Sequence, residues 1–93
     1  MSNLKIRPGI VLISICDEHI LVSTREAREF CPYVQQINNV AVYYWKLLED
    51  EMEMKDIIDK ASEHFGLTKI NTVIHLNELI KKLTSAGYLF EED

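Results

Sequence analysis

YVQQINNVAVYYWKLL, residues Tyr33 to Leu48, changes its hydrophobic period partway along. Tyr33, Val34 and Ile37 are β-formers around Gln35 and Gln36, with no Gly or Pro among them, so residues 33–37 read as a strand. Asn38 or Asn39 can then cap a helix, its side-chain oxygen accepting from a backbone N–H one turn on. From Val40 the apolar residues Val40, Tyr43, Tyr44, Leu47 and Leu48 recur at helical spacing, thickened by Ala41, Val42 and Trp45. A strand that runs straight into a buried helix ties a sheet to a helical layer.

N-terminal to this corner, residues 1–8 read as a polar lead-in and Pro8-Gly9 as a turn. Ile10–Cys16 (IVLISIC) is apolar on both alternating faces, the pattern of a strand covered on both sides or central in its sheet. Asp17-Glu18-His19 reads as a turn and residues 20–23 as the returning strand of a hairpin, without an Asn-Gly signal. The charged segment Thr24–Pro32 is a loop or helical turn that Pro32 ends. The third strand, entered from that loop and left through a helix, is expected at a sheet edge.

C-terminal to the corner, residues 54–65 form an amphipathic helix, with Met54, Ile57, Ile58, Ala61 and Phe65 on one face and Gly66 as its stop. Residues 70–86 form the longest helix, with a core stripe of Leu76, Leu79, Ile80 and Leu83 and Gly87 as its end. Tyr88-Leu89-Phe90 is an apolar tail able to fold over the core, and residues 91–93 are expected to fray. The order β-β-β-α-α-α predicts one α+β domain over residues 1–93, a winged helix-turn-helix-like fold with a three-stranded antiparallel sheet.

Composition narrows the function. With 93 residues and 47% hydrophobic content, the chain has the makings of a single modest core. Its net charge is −5, unevenly spread: residues 49–93 carry eleven Asp/Glu against five Lys/Arg, and residues 1–48 carry four against five. An acidic helical half repels a phosphate backbone, which argues against nucleic acid. No apolar run nears the roughly 20 residues needed to cross a bilayer, and residues 1–8 lack a signal-peptide h-region, so the expected location is cytoplasmic. In that compartment Cys16 and Cys31 are expected to be reduced thiols.

Chemistry is hard to find. His19, His64 and His75 stand apart, with no Cys, His or carboxylate at metal-ligand spacing, and no residue is assigned as metal-binding. The isolated Gly9, Gly66 and Gly87 make no phosphate loop, and no serine or cysteine sits in a nucleophile motif. No catalytic residue and no cofactor is expected. Two surfaces stand out instead. The strand of Tyr33, Val34, Gln35, Gln36 and Ile37 lacks the internal Lys or Pro that blunts an edge, so it is either paired on both sides, covered in a dimer, or a docking edge for an extended peptide. On the last helix, Ile70, Val73, Ile74, Asn77 and Lys81 cluster on a flank displaced from the core stripe, which either packs the first helix or the sheet or forms a groove wall beside the edge strand. On this basis Ile74→Glu and Val34→Pro are each expected to abolish peptide binding.

The ordered set Pro8-Gly9, Arg25–Phe30 (REAREF), Cys31-Pro32-Tyr33-Val34, Ile37-Asn38, Trp45 with Leu47-Leu48, Ile57-Ile58, Leu79-Ile80, Leu83 and Gly87-Tyr88-Leu89 resembles the PqqD-like proteins. These are recognition elements for the leaders of ribosomally made, post-translationally modified peptides (RiPPs). The resemblance implies a non-catalytic peptide chaperone. A precursor's leader peptide adds a strand beside the third one and fills the cleft against the third helix, while a partner enzyme, often a radical S-adenosylmethionine (radical SAM) enzyme, modifies the core peptide. The chain departs from the family in having Ile37 for leucine, Asn39-Val40 where Glu-Thr is commoner, and an acidic Glu49–Met54 link without the usual glycine. The rival readings are a winged-helix DNA-binding domain, poorly served by the few charges of residues 70–86, and a module whose edge strand pairs with a second copy as a homodimer.

Overall fold

The computed structural model describes residues 3–92, which run β1 (Asn3–Ile6), β2 (Ile10–Ile15), β3 (Glu18–Ser23), β4 (Val34–Ile37), α1 (Asn39–Glu49), α2 (Met54–Phe65), α3 (Lys69–Ser85) and β5 (Leu89–Glu92). β2, β3 and β4 form an antiparallel sheet in that order, and β1 pairs antiparallel with β5 in a second, two-stranded sheet. The α+β class, the three-stranded sheet and the three helices are as expected. The terminal strand pair is an addition: the lead-in contains a strand, and Glu91 and Glu92, expected to fray, are held in β5. The remaining residues of that expectation and of the lead-in, Asp93, Met1 and Ser2, lie outside the described residues.

The β2–β3 hairpin closes more tightly than its sequence suggested. Ile15 pairs with Glu18, so the loop is the two residues Cys16 and Asp17, with φ of 48° and 64°. Positive φ at both loop positions matches the twist of the flanking strands, as in a type I′ hairpin. His19 therefore lies in β3, not in a turn. β2 is an edge strand, neither central nor covered on both faces: Val11, Ile13 and Ile15 are exposed on the outward side of the sheet.

One cluster joins the layers. Leu21 of β3, Tyr44 and Trp45 of α1, Ile57 and Ala61 of α2, Leu76 and Leu83 of α3, and Tyr88 and Leu89 are all essentially inaccessible. Each large apolar side chain so placed contributes about 1.5–3 kcal/mol of transfer free energy. The loop before β4 is tied into this core. The Pro32 carbonyl accepts from the Tyr88 hydroxyl (3.0 Å) and from the Ser23 hydroxyl (2.6 Å), and the Arg7 guanidinium lies 4.3 Å from the Phe30 ring centroid while its Nε donates to the Gly87 carbonyl. These contacts set where β4 begins.

Its far end is set by a cap. Of the two candidate asparagines, Asn38 caps α1, its Oδ1 accepting from the Ala41 N–H at 2.8 Å. Asn38→Ala is expected to cost about 1 kcal/mol, read as a lower urea midpoint with an unchanged slope.

Candidate functional site

Among the described residues β4 has one partner, β3, and hence one open edge. The Ser23 N–H donates to the Tyr33 carbonyl at 2.8 Å, continuing the register that pairs Leu21 with Gln35 and His19 with Ile37. Hydrogen-bonded and non-bonded pairs alternate along an antiparallel ladder. Tyr33, Gln35 and Ile37 therefore turn their backbone groups toward β3, and Val34 and Gln36 turn theirs outward. The Gln35 side chain agrees with this, since its Nε2 donates to the Gln36 carbonyl at 3.0 Å, an acceptor that β3 leaves free. One flexible amide is thus all that blunts the interior of this edge.

Alongside the edge runs a cleft of about 800 Å³. Ile37, Ala41, Tyr44, Leu79 and Leu83 supply its apolar lining, Gln35 and Gln36 its strand wall, and His75, Glu78 and Lys82 a polar wall on α3. Asp17 and Glu18 of the hairpin, with Asn38–Val40, border it where His19 pairs with Ile37. Behind that end His19 bridges two elements, its Nδ1 2.7 Å from the Ser14 hydroxyl and its Nε2 bonded to the Asn39 Oδ1. A neutral ring with the hydrogen on Nε2 satisfies both contacts, donating to Asn39 and accepting from Ser14. The histidine thereby holds the sheet against the start of α1.

At the cleft Tyr44 is unusual in being buried to 1% exposure with its hydroxyl unpartnered among the described residues. Burial pushes its pKa above the ordinary tyrosine value. The other rings and thiols have evident structural places. His64 stacks on Tyr43, Cys31 donates to the Ala27 carbonyl, and Cys16 is exposed in the hairpin loop. Among the described residues no three His, Cys, Asp or Glu side chains come together in a way that suits a metal ion. Among the described residues no helix is long and apolar enough to cross a membrane.

Of the residues singled out in the sequence, Gln35, Gln36 and Ile37 line the cleft, and Val34, on the outward face, contributes its backbone to the open edge. Tyr33 flanks the start of β4, its ring 4.4 Å from the Arg28 guanidinium carbon. The five helical residues are not brought to this place. Ile70, Val73, Ile74, Asn77 and Lys81 do not line the cleft, and Ile70 and Ile74 are 75% and 49% exposed. At 100° per residue they occupy one flank of the buried line Thr72, Leu76 and Leu83, whereas His75, Glu78, Leu79 and Lys82 occupy the other. The core stripe is the same in either case, and only the position of β4 decides which flank faces the strand. Leu79 was the available signal: counted as core, it is only partly buried and belongs to the cleft.

The fold is similar to that of TbiB1, solved in complex with the TbiA(beta) leader peptide, with a TM-score of 0.76. The match covers 91% of this chain and 93% of that one at 20% sequence identity, a level at which the likeness establishes the fold. No family model matches the chain, and no curated protein matches it significantly.

Proposed function

We propose that this chain is a non-catalytic recognition domain for the leader of a ribosomally synthesised precursor peptide. It binds the leader as an added strand along β4 and presents the attached core peptide to a modifying enzyme. The observation that carries this reading is the outward-facing backbone of Val34 and Gln36 beside an apolar-lined cleft. The similar fold of a protein solved with a leader peptide supports it, as does the PqqD-like motif set. On the same reading the enzyme is of the radical SAM class and the site of action is the cytoplasm.

The physical division of labour is simple. An antiparallel fourth strand would exchange up to four backbone hydrogen bonds with Val34 and Gln36, affinity that tolerates many sequences. Cross-strand neighbours share a face, so its residues opposite Gln35 and Ile37 would enter the cleft, and those opposite Val34 and Gln36 would lie on the outward face. The cleft lining then selects anchors, and tethering raises the core peptide's effective concentration at the enzyme without chemistry by this chain.

The binding residues proposed are Tyr33, Val34, Gln35, Gln36 and Ile37 together with His75, Glu78, Leu79 and Lys82. Ile74→Glu, on the far flank, should now leave affinity within about twofold. Leu79→Glu should lower it at least tenfold, because it sets a charge in the apolar lining. Equal losses in the two variants, both checked for native circular dichroism, would remove the cleft from the proposal. The primary test is an amide-resolved NMR titration with a synthetic leader from a short peptide encoded beside this protein. Saturable shifts concentrated in residues 34–44 and 75–83 are expected. Shifts confined to the outward residues Val11, Ile13 and Ile15, with a mass that rises with concentration, would instead show self-association through the exposed sheet face.

A further inference from the structure

We propose that the open edge of β2 pairs with the β2 edge of a second copy of this chain, antiparallel about a twofold axis at Leu12, so that two three-stranded sheets join into one. The inference is independent of strand addition at β4, which lies at the opposite edge of the sheet.

Among the described residues β2 pairs only with β3. The other edge strands are charged or short: β1 holds Lys5, β5 holds Glu91 and Glu92, and β4 has 4 residues. β2 runs for 6 residues, Ile10–Ile15, with no charge and no Pro, and its register with β3 contains no bulge. An unblunted edge of this kind is a template for another strand. Its backbone groups are turned to suit. The Thr24 N–H donates to the Gly9 carbonyl at 2.8 Å, so Gly9 and, by alternation, Val11, Ile13 and Ile15 bond to β3. Ile10, Leu12 and Ser14 therefore turn their N–H and C=O groups to the open side.

The edge is complementary to itself. With Leu12 opposite its twin, Ile10 meets Ser14 of the second copy, and these pairs exchange roughly six backbone hydrogen bonds. Val11 then lies opposite Ile13 of the second copy in non-bonded pairs, the kind that brings side chains closest. Val11 and Ile13 are among the large apolar side chains that the fold leaves exposed. The rows Val11–Val22–Val34 and Ile13–Ile20–Gln36 carry the same uncharged face across the rest of the sheet. Charge favours the approach as well. The negative charge is concentrated in residues 49–93, whereas β2 has none, so pairing here sets no like charges opposite each other. A strand of this length covers a strip only about 20 Å long. That is modest against the roughly 800 Å² per partner of a standard interface and fits a reversible dimer.

The test is sedimentation velocity on the full chain from low-micromolar to near-millimolar concentration, with amide hydrogen exchange at both ends of the range. The mass should rise reversibly from 10.8 kDa toward twice that value, and the amides of Ile10, Leu12 and Ser14 should gain protection with it. Ser14→Pro removes an N–H from the open edge and sets a ring against the second copy, and should weaken association at least tenfold. Ser14→Ala loses the same hydroxyl contact with His19 but keeps the N–H, and should associate like wild type. Both folded variants should bind leader with wild-type affinity, since β4 is unchanged. A mass of 10.8 kDa throughout, or equal association of folded Ser14→Pro and Ser14→Ala, overturns the inference. Protection that appears at Val34 and Gln36 instead also overturns it, because the copies then meet at β4. A dimer protected at β2 that binds no leader upholds the inference and removes strand addition alone.

Discussion

Val34→Pro leaves the domain folded and weakens leader binding by roughly tenfold to a hundredfold. The fold survives because the Val34 N–H faces the open edge: Tyr33 and Gln35, not Val34, make the backbone bonds to β3. Proline is tolerated in a strand where its missing N–H would have pointed to solvent. Its side chain also lies on the exposed outward face, so no core contact is lost. Binding suffers twice. One of the four backbone bonds disappears, and the peptide carbonyl that should have accepted it is buried unpaired, at about 1–3 kcal/mol. The proline ring also stands where the incoming strand must approach. Val34→Thr keeps the N–H and a β-branched side chain, and should bind like wild type. Titration calorimetry of the two variants against one leader makes the measurement. Wild-type affinity in a folded Val34→Pro would show that the peptide does not pair with this edge.

Gly87→Ala costs on the order of 3 kcal/mol of stability, a melting-temperature drop of roughly 10–20 °C for a domain this size. Gly87 sits at φ +92°, a region L-residues rarely adopt. A Cβ there would also overlap the Phe30 carbonyl, which is backbone and has no rotamer by which to yield. Relief requires moving the loop that leads through Cys31 and Pro32 into β4, and with it the Arg7 and Tyr88 contacts that hold the loop. Gly66 is the control. It is also left-handed, at φ +66°, but its Cβ would meet nothing within 4 Å, so Gly66→Ala should cost only about 1 kcal/mol. Equal melting temperatures for the two variants would mean that the overlap with Phe30 is relieved at no cost. If Gly87→Ala retains enough fold to titrate, its weakened binding should follow the displaced start of β4.

Much of this architecture is legible in local sequence because its causes are local. The switch from strand to helix between Ile37 and Asn39 rests on a change of hydrophobic period and an asparagine cap three residues from its acceptor's partner. α2 ends on a left-handed glycine for the same short-range reason. The β1–β5 pair was not legible: it joins Asn3 to Glu92 through two four-residue strands of mixed polarity, and neither has a periodicity of its own to mark it. Similarly, the hairpin loop Cys16-Asp17 uses residues that carry only a weak turn signal.

For the site, the chain's own pattern marked residues 33–37 as a strand, of which Val34–Ile37 form β4, with helix α1 following directly and an unblunted edge as the feature to explain. These follow from side-chain types at fixed spacing. Three things waited on the tertiary structure. The order β2-β3-β4 left that edge open among the described residues, and the register turned the backbone groups of Val34 and Gln36, not Gln35, toward it. The side of α3 on which β4 lies puts His75, Glu78, Leu79 and Lys82 along the cleft, while Ile70, Val73, Ile74, Asn77 and Lys81 lie on the other flank. The packing around Tyr44 left its hydroxyl without a partner among the described residues, although in the helical pattern it reads as one more core residue. Helical periodicity says how far a residue lies from the core stripe, but the two flanks of a stripe are equivalent until a second element is set against one of them.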